Sequence, residues 1–232
     1  MNMNAITAVI LAAGKGTRML PLTETRPKPL MNVAGKNLIE WKLELLPPEV
    51  TDVVLIIGYQ GEQIKAYFGD TWKNKTIHYV EQTELNGTAG ALFAAADILA
   101  HRFLVMMGDD LYAKEDVEEM LKHDFALCVK KISNTEMKGE IFQNPDGTFR
   151  GINEEKHYVA EGLMNTGLYM LDRRIFNYAP VPIGGSSTEF GLPHTLALLA
   201  KDIPVHVATT TKWFQITTPE DLLSAENFVG VS

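Results

Sequence analysis

Apolar runs without polar alternation recur through the first half of the chain, and amphipathic segments lie between them. Such runs are typical of strands buried on both faces of a parallel sheet, whereas recurrence every three or four residues indicates a helix. Asn37 is a suitable N-cap for the first helix, and Pro47 and Pro48 end it. The pattern predicts strands at residues 8–12, 53–57, 77–80 and 103–107, and helices at residues 37–46, 60–68 and 88–99.

The second half of the chain has a different pattern. Asn144-Pro-Asp-Gly147 is typical of a hairpin turn, and Pro219 suits the first turn of a closing helix. We expect strands at residues 126–131, 139–143, 149–153, 163–171, 205–208 and 212–215, and helices at residues 189–201 and 219–229. Because strand, helix and strand alternate in the first half, we expect one α/β domain over residues 1–232, with a largely parallel sheet covered on both faces.

Composition narrows the choice of partners. The 232 residues are 46% hydrophobic, and a net charge of −8 argues against broad binding to nucleic acid or to an anionic membrane. The single cysteine, Cys128, lies in a predicted buried strand and is expected to be a structural thiol in a reducing compartment. The N-terminal residues lack a basic region and a long apolar run, so we expect no signal peptide, no membrane span and a cytoplasmic location.

The segment after the first predicted strand carries the clearest chemical signal. Leu11 and Ala12 end the strand, the loop Gly14-Lys15-Gly16-Thr17-Arg18 follows, and Lys28 lies between two prolines. Backbone amides, a hydroxyl and fixed cations in one short loop are the groups that bind a polyphosphate. The spacing fits neither the P-loop nor the dinucleotide fingerprint. The loop therefore indicates a nucleotide, and the alternative is a glycine turn with ordinary surface cations.

Two further segments follow predicted strands. Gln82 precedes Gly87 and Thr88 at an expected helix start, and a glutamine amide can pair with both a carbonyl and an imide N–H, as uracil and thymine present. Asp109 and Asp110 follow the fourth strand, at the sheet edge where ligands bind, and a carboxylate there suits Mg²⁺. Taken alone, the first segment is also compatible with a solvated loop, and the second with a turn or helix cap.

The run Leu11-Ala-Ala-Gly-Lys-Gly-Thr-Arg18, followed by Pro27-Lys-Pro-Leu30, resembles the signature of the sugar-1-phosphate nucleotidylyltransferases. That family includes glucose-1-phosphate thymidylyltransferases, UTP–sugar-1-phosphate uridylyltransferases and mannose-1-phosphate guanylyltransferases. The resemblance spans nearly the whole chain, because the later motifs occur in the family's order. It implies that a nucleoside triphosphate and a sugar 1-phosphate react, with Mg²⁺ as cofactor, to give pyrophosphate and a nucleotide sugar of the kind that serves as a polysaccharide precursor.

The resemblance implies a Rossmann-like α/β/α sandwich with a mixed, mostly parallel central sheet. It divides the domain into a nucleotide-binding half, about residues 1–112, and a sugar-phosphate-binding half, about residues 113–232. Some members add a C-terminal left-handed β-helix, which we do not expect here because the chain ends too early for one. Family members are often dimeric or tetrameric, so the resemblance also allows a homo-oligomer.

Site residues follow from matching the family's motifs to positions in this sequence. The resemblance assigns catalysis to Arg18, Lys28 and Asp109. It assigns metal binding to Asp109 and Gln215. The residues that it assigns to nucleotide binding are Leu11, Ala12, Gly14, Lys15, Gly16, Thr17, Gln82, Gly87 and Thr88. Those that it assigns to the sugar phosphate are Asp110, Gly139, Glu155, Lys156 and Asn165.

Two positions depart from the family's pattern. Gln215 stands where the family has a second metal-binding Asp, and an amide oxygen can ligate Mg²⁺ but brings no negative charge. We therefore expect weaker metal binding, a water-bridged ligand, or help from Asp110. His157 follows Glu155 and Lys156 where the family has a proline. We expect this change to be tolerated, because the proline shapes the turn and does not touch the substrate.

These motifs narrow the choice of nucleotide without reducing it to one. The spacing of Gln82 and Gly87 resembles uridylyl- and thymidylyltransferases, which favours UTP or dTTP. GTP stays open, because Thr88-Ala-Gly-Ala91 also resembles guanylyltransferase sequences. One alternative is a cytidylyltransferase acting on an alcohol phosphate. The other is a non-catalytic regulatory protein that binds a nucleotide sugar, which Gln215 favours.

Overall fold

The structure is a computed structural model that describes residues 5–184, 187–210 and 212–230. A ten-stranded mixed sheet runs through both halves of this part of the chain. Its strands are β1 (Ile6–Ala12), β2 (Asp52–Ile57), β3 (Thr71–Trp72), β4 (Lys75–Glu81), β5 (Arg102–Met107), β6 (Ala126–Met137), β7 (Glu140–Gln143), β8 (Phe149–Asn153), β9 (His157–Asp172) and β10 (His206–Thr210).

The first half forms a parallel core in the order β4-β2-β1-β5. Side chains alternate across β1, so that Ala8 and Ile10 join one buried layer and Val9 joins the other. Both layers are apolar, which explains why this strand shows no polar alternation in the sequence. The carboxyl ends of β1 and β5 lie side by side, because Leu11 pairs with Met107.

The sixteen residues of β9 link this core to the second half. Leu168–Asp172 pairs antiparallel with β5, and the register with β6 on the other edge extends from His157 to Met170. The β6 pairing is irregular between Asn165 and Tyr169. On the remaining sides, β7 pairs with β8 and β9, and β10 runs parallel to β6.

Helices cover both faces of the sheet. They are α1 (Leu38–Leu45), α2 (Gly61–Phe68), α3 (Gly87–Ala94), α4 (Lys114–Met120), α5 (Leu192–Leu199) and α6 (Pro219–Gly230). Leu43, Ile64 and Val117 bring α1, α2 and α4 onto one face, whereas Leu92 and Leu196 bring α3 and α5 onto the other. The described residues therefore confirm an α/β/α sandwich with a mostly parallel centre.

Short elements complete the fold. Ala225 of α6 packs in a third buried group with Met19, Leu38, Leu111 and Ile216, beside the ends of β1 and β5. Two-stranded pairs join Asn32–Val33 to Lys36–Asn37, Asp110–Leu111 to Phe214–Gln215, and Val181–Pro182 to Phe190–Gly191. Short 3₁₀ turns lie at Thr17–Met19, Leu22–Glu24, Lys28–Leu30 and Arg173–Asn177. Among the described residues, no helix combines the length and apolarity needed to cross a bilayer.

Several predicted boundaries are wrong, for identifiable reasons. The helix predicted at residues 88–99 ends at Ala94, after which short turns carry the chain to β5. The helix predicted at residues 189–201 begins only at Leu192, because Phe190–Gly191 pairs as a strand. The strand predicted at residues 212–215 is reduced to Phe214–Gln215. Helix α4 was not predicted, since only Val117 and Met120 of its seven residues are buried.

Gly108 offers a test of how tightly the two strand ends pack. A Cβ added there would lie 2.5 Å from the Leu11 carbonyl oxygen, which already accepts the Gly108 amide at 2.9 Å. Backbone cannot move aside as a side-chain tip would, so Gly108→Ala should lower the free energy of unfolding by about 1–3 kcal/mol in a urea titration. The control is Gly151→Ala, where nothing lies within 4 Å of the new carbon. Equal midpoints for the two variants would contradict this packing.

Candidate active site

Gly16 shapes the loop that follows β1. Its φ of +61° lies in the left-handed region, which glycine adopts at little cost. The Thr23 hydroxyl donates a hydrogen bond to the Gly16 carbonyl at 3.0 Å, and the Thr17–Met19 turn begins immediately after it. Thr17 and Arg18 are left exposed, so both are available to a ligand.

Lys28 is buried against the same loop. A Cβ on Gly16 would come within 3.1 Å of Lys28 Cβ, which shows how closely the two segments pack. Lys28 Nζ forms an ion pair with Asp109 Oδ2 at 2.6 Å. The lysine side chain is 8% exposed and that of Asp109 is 37% exposed, so the carboxylate reaches solvent above a shielded ammonium group. This pair connects the segment after β1 to the end of β5.

A cavity of about 210 Å³ includes both members of this ion pair in its wall. It brings the three predicted catalytic side chains, Arg18, Lys28 and Asp109, to one place. Thr217 also lines it. Sequence reasoning missed this residue because the family's motif pointed to Gln215, two positions earlier in the same segment. The lining residues are Leu11, Ala12, Gly14, Gly16, Thr17, Arg18, Lys28, Pro29, Gly108, Asp109 and Thr217.

A second cavity, of about 380 Å³, shares Leu11 and Gly14 with the first. The glycine loop therefore borders both. The second cavity is lined by Leu11, Ala13, Gly14, Lys15, Gln82, Leu85, Gly87, Thr88, Ala91, Met107 and Glu189. Every residue predicted to bind nucleotide thus lines one of two adjoining cavities, although the sequence separates these residues by up to 77 positions.

Gln82 is buried in the wall of the second cavity, and its amide is held in one orientation. Gln82 Nε2 donates to Asn86 Oδ1 at 3.0 Å and to the Gly87 carbonyl oxygen at 3.1 Å. Because a backbone carbonyl is an unambiguous acceptor, the second contact identifies which end of the Gln82 amide carries the hydrogens. Both hydrogens are engaged in this arrangement, and Oε1 is the atom left for a donor on a ligand.

Gly87 and Thr88 also have partners within the protein. A Cβ on Gly87 would lie 2.5 Å from the Phe190 carbonyl oxygen, so glycine is required there by the chain's own packing. Thr88 Oγ1 accepts the Leu192 amide at 2.9 Å, at the start of α5. Gly87 and Thr88 therefore contact the segment that leads into α5, and Glu189 of that segment also lines the second cavity.

Asp110 has a different position from the one predicted beside the sugar. It is 2% exposed, and its Oδ2 accepts a hydrogen bond from Trp213 Nε1 at 3.2 Å. Burial raises the pKa of the Asp110 carboxyl well above its usual range, with Asp109 adding to the rise and Lys42 opposing it. The carboxyl lies beneath the surface because Asp110 pairs in a short strand with Gln215.

Gln215 lies next to the ion pair without lining the first cavity. Its backbone pairs with that of Asp110, and the residue is exposed. In the cavity wall, Thr217 is the residue of this segment that accompanies Asp109. Its hydroxyl is a possible oxygen ligand that the sequence motif did not indicate.

The residues predicted to bind the sugar phosphate divide into two groups. Gly139 and Asn165 lie together, since the backbone N–H of Asn165 donates to the Gly139 carbonyl at 3.1 Å. The carboxylate beside them belongs to Glu154, whose Oε2 is 3.9 Å from the place of a Gly139 Cβ. Sequence reasoning chose Glu155, which is exposed in the turn between β8 and β9. The sequence does not distinguish Glu154 from Glu155, because the backbone conformation of this irregular turn decides which of the two side chains faces inward.

Asn165 and Lys156 both have partners in the structure. Asn165 Nδ2 donates to the Tyr169 hydroxyl at 2.7 Å, which fixes the side chain within the β9 irregularity. Lys156 is exposed and forms an ion pair with Glu136 of β6. A phosphate would have to displace Glu136 to bind this lysine. An exposed ion pair of this kind contributes little to stability, so such an exchange costs little.

Asp109 meets the requirements of a Mg²⁺ ligand. It supplies a partly exposed carboxylate in the wall of a polar cavity, and Mg²⁺ keeps several waters while taking one or two carboxylates plus phosphate oxygens. Elsewhere, ligand atoms of Glu119, His123 and His206 lie within 4.8 Å of one another. The two imidazoles stack with 11° between their planes and 4.0 Å between their centroids, so their lone pairs lie in two separate, nearly parallel planes, which is poor geometry for binding one ion.

Comparison with known proteins identifies the family. The model of the family described as nucleotidyl transferase matches residues 7–231, and the chain belongs to this family. The bifunctional protein GlmU of Methanocaldococcus jannaschii is 32% identical over 223 residues, which make up 96% of this chain and 54% of that protein. The chain therefore spans about half the length of this relative. The motif resemblance to sugar-1-phosphate nucleotidylyltransferases is confirmed at the level of the family.

A further relative and a solved structure are also similar to this chain. The D-glycero-alpha-D-manno-heptose 1-phosphate guanylyltransferase of Campylobacter jejuni is 30% identical over 174 residues, covering 73% of this chain and 77% of that protein. A crystal structure of UDP-glucose pyrophosphorylase complexed with UDP-glucose matches with a TM-score of 0.77, covering 97% of this chain and 98% of the other. The identity there is 20%, so this likeness concerns the fold alone.

His157, which stands in place of the family's proline, provides a pH-dependent test of the turn after Glu155. The pKa of His157 is raised because its Nδ1 lies 2.8 Å from the Glu155 carbonyl oxygen and its Nε2 lies 2.7 Å from Glu140 Oε2. Stabilisation by the imidazolium is therefore complete below the unfolded pKa of about 6.5 and is lost as pH rises through the higher folded value. His157→Gln should flatten this part of the stability–pH profile, measured by thermal unfolding.

The control for that measurement is His101→Gln, which alters an exposed histidine just before β5. This variant should retain the slope of the parent. A His157→Gln profile parallel to that of the parent would show that the two contacts contribute no pH-dependent stability.

Proposed function

We propose that the protein is a sugar-1-phosphate nucleotidylyltransferase that uses UTP or dTTP. The observation that carries the proposal is the pair of adjoining cavities, in which the glycine loop, Arg18, Lys28 and Asp109 adjoin the amide of Gln82. Family membership supports the same class of reaction. The test is a matrix of nucleoside triphosphates against hexose 1-phosphates, scored by pyrophosphate release with and without Mg²⁺.

The first cavity is suited to the triphosphate. The loop amides and Arg18 would hold the pyrophosphate that departs, and Lys28 would lie near the α-phosphate. The ammonium group is shielded from water, so its attraction for a phosphate oxygen is stronger than that of a surface lysine. Lys28 is paired with Asp109 in the free protein, and the two side chains would share a metal-bound phosphate between them.

No nucleophilic side chain is needed for the reaction. A phosphate oxygen of the sugar 1-phosphate attacks the α-phosphorus in line, a new P–O bond forms, and the bond from the α-phosphorus to the bridging oxygen breaks. Pyrophosphate carries away the electron pair of that bond. Mg²⁺ held by Asp109 would supply charge neutralisation, with Thr217 or water-bridged Gln215 as further oxygen ligands. The protein's own contribution is position and electrostatics.

The orientation of Gln82 supports a base with a ring N–H. Its Oε1 is an acceptor, and uracil, thymine and guanine offer a donor at the corresponding edge. Cytosine and adenine have an unprotonated ring nitrogen there, which would face Oε1 with a second lone pair. UTP, dTTP and GTP are therefore favoured over CTP and ATP. A cytidylyltransferase of an alcohol phosphate is the less favoured enzyme for the same reason.

The sugar phosphate would bind where β8, β9 and the Gly139 turn meet. The packing of Gly139, Glu154 and Asn165 supports Glu154 as a further acceptor for sugar hydroxyls. Lys156 would move in from the surface to reach the phosphate, and Glu155 would accept hydrogen bonds from sugar hydroxyls. A homo-oligomer and a cytoplasmic location stay predictions, and the identity of the sugar awaits the substrate matrix.

Gln215 favours a second candidate function, a non-catalytic sensor of nucleotide sugars. The side chain brings no charge to the place where the family has an aspartate, so metal-assisted transfer would be weaker. A sensor would bind nucleotide sugar and release no pyrophosphate from any pair in the matrix. Release that requires Mg²⁺ would eliminate this candidate.

Removal of either member of the central ion pair should abolish most turnover. Lys28→Ala and Asp109→Ala should each lower kcat by about 10²–10³-fold, because each deletes charge stabilisation aimed at the reacting phosphates. The melting temperature should change little in Lys28→Ala, since the carboxylate left behind is partly exposed, whereas Asp109→Ala should also lower it, because the shielded Lys28 ammonium group loses its partner. The control is Lys65→Ala, which breaks the exposed Lys65–Glu62 pair on α2 and should leave kcat unchanged. Normal turnover in Lys28→Ala or Asp109→Ala would refute these roles.

Gln82→Leu should impair recognition of the base. We expect KM for UTP or dTTP to rise about tenfold, because the variant leaves a base N–H without its acceptor, while kcat changes less. Steady-state kinetics with each nucleotide checks this split. Gln63→Leu is the control, since its amide binds Thr25 and Gln60 outside both cavities. Equal use of CTP and UTP by the parent enzyme would contradict the role of Gln82.

A further inference from the structure

Lys42 is a fully buried lysine directly behind the candidate site. It lies in α1 at 0% exposure, and its ammonium group donates to the Leu38 carbonyl at 3.0 Å and to the Gly108 carbonyl at 3.1 Å. The first bond stays within the helix. The second crosses 66 positions of sequence to the residue that precedes Asp109. No motif in the sequence marked this lysine.

A buried ammonium group is costly, so its retention needs a physical reason. Burial lowers the pKa of Lys42 to about 8, and the nearby carboxylates of Asp110 and Asp109 oppose that change. The same two carboxylates lie beside Lys28, so two cations and two anions are grouped at the ends of β1 and β5. The buried Asp110 accepts a bond from Trp213, and its Oδ1 has no hydrogen-bond partner among the described residues, so Lys42 acts on this carboxyl through its charge and not through a bond.

The backbone at Gly108 is also restrained by a contact other than the one with Lys42. Its amide donates to the Leu11 carbonyl at 2.9 Å, and the same oxygen fills the space that a side chain would need. That bond holds the peptide between Met107 and Gly108, whereas the bond from Lys42 to the Gly108 carbonyl holds the peptide between Gly108 and Asp109. Lys42 therefore restrains the peptide that leads into Asp109, and hence the direction of that side chain.

We propose that Lys42 is a positioning residue, whose ammonium group holds the Gly108 carbonyl and thereby fixes the backbone from which Asp109 reaches Lys28, phosphate and metal. This inference rests on the proposed function for its effect on turnover. It does not rest on that function for its effect on the backbone, which is measurable without any substrate.

The chain contains a matched control. Lys75 is 4% exposed, and its ammonium group donates to the Val50 carbonyl at 2.7 Å and to the Pro47 carbonyl at 3.4 Å. It is therefore another buried lysine bonded to two backbone oxygens, at the start of β4 and outside both cavities. Burial also lowers the pKa of Lys75. Lys42→Met and Lys75→Met remove the same group with nearly the same change in side-chain shape.

The first measurement is amide hydrogen exchange of the full chain without ligands. Lys42→Met should raise exchange within residues 107–112 by at least about tenfold, because the peptide between Gly108 and Asp109 loses the bond from Lys42 to its carbonyl. Lys75→Met should leave that segment within about twofold of the parent. Unchanged exchange in Lys42→Met, or an equal rise in both variants, would overturn the proposal.

The second measurement separates positioning from simple loss of stability. Lys42→Met should lower kcat by about 10- to 100-fold and raise the Mg²⁺ concentration needed for half-activation, with KM for the sugar phosphate within about twofold. The double variant Lys42→Met/Asp110→Asn removes the unpaired buried charge and should recover melting temperature without recovering kcat. If the melting temperature and kcat both recover in the double variant, Lys42 only stabilises the fold, and the proposal is overturned.

The two experiments also distinguish the failure of this inference from that of the proposed function. If no substrate pair releases pyrophosphate in the parent, the proposed function fails, and exchange at residues 107–112 decides the inference alone. If the parent is active and Lys42→Met matches Lys75→Met in kcat and in exchange, the inference fails while the function stands.

Discussion

The ion pair between Lys28 and Asp109 is the interaction on which the site depends. It joins two segments that the sequence separates by 81 positions, and it does so at the carboxyl ends of β1 and β5, where the parallel sheet opens. A protein of net charge −8 must gather cations locally if it is to attract a triphosphate, as proposed here. A shielded lysine lies against a partly exposed carboxylate, so each group has a partner of opposite charge in the structure.

Much of this site was readable from the sequence because its parts are local. β1, its glycine loop, Lys28 and Asp109 follow from short motifs at strand ends, and the structure brings them into one cavity. The features that the sequence did not indicate depend on contacts between distant segments. The burial of Asp110 comes from its pairing with Gln215 and its bond to Trp213, neither of which leaves a local signal. The choice between Glu154 and Glu155, and the place of Lys42, are of the same kind.

The two departures from the family's pattern have different structural consequences. His157 compensates within its own turn, since its ring contacts both the Glu155 carbonyl and Glu140, and so takes over the restraint that a proline ring provides. At Gln215, the other residue of this segment in the wall of the first cavity is Thr217, whose hydroxyl is uncharged. The first change therefore bears on the shape of the proposed sugar-phosphate site, and the second on the charge available at the proposed metal site.

The length of β9 has a mechanical consequence. The strand pairs with β5 over Leu168–Asp172 and with β6 on both sides of the irregularity between Asn165 and Tyr169. The β6 ladder is interrupted there, and Gly167 within the interruption has a φ of +72°. Asn165, expected to contact the sugar, borders this interruption, so the proposed sugar contact lies where the long strand is least restrained by its neighbour.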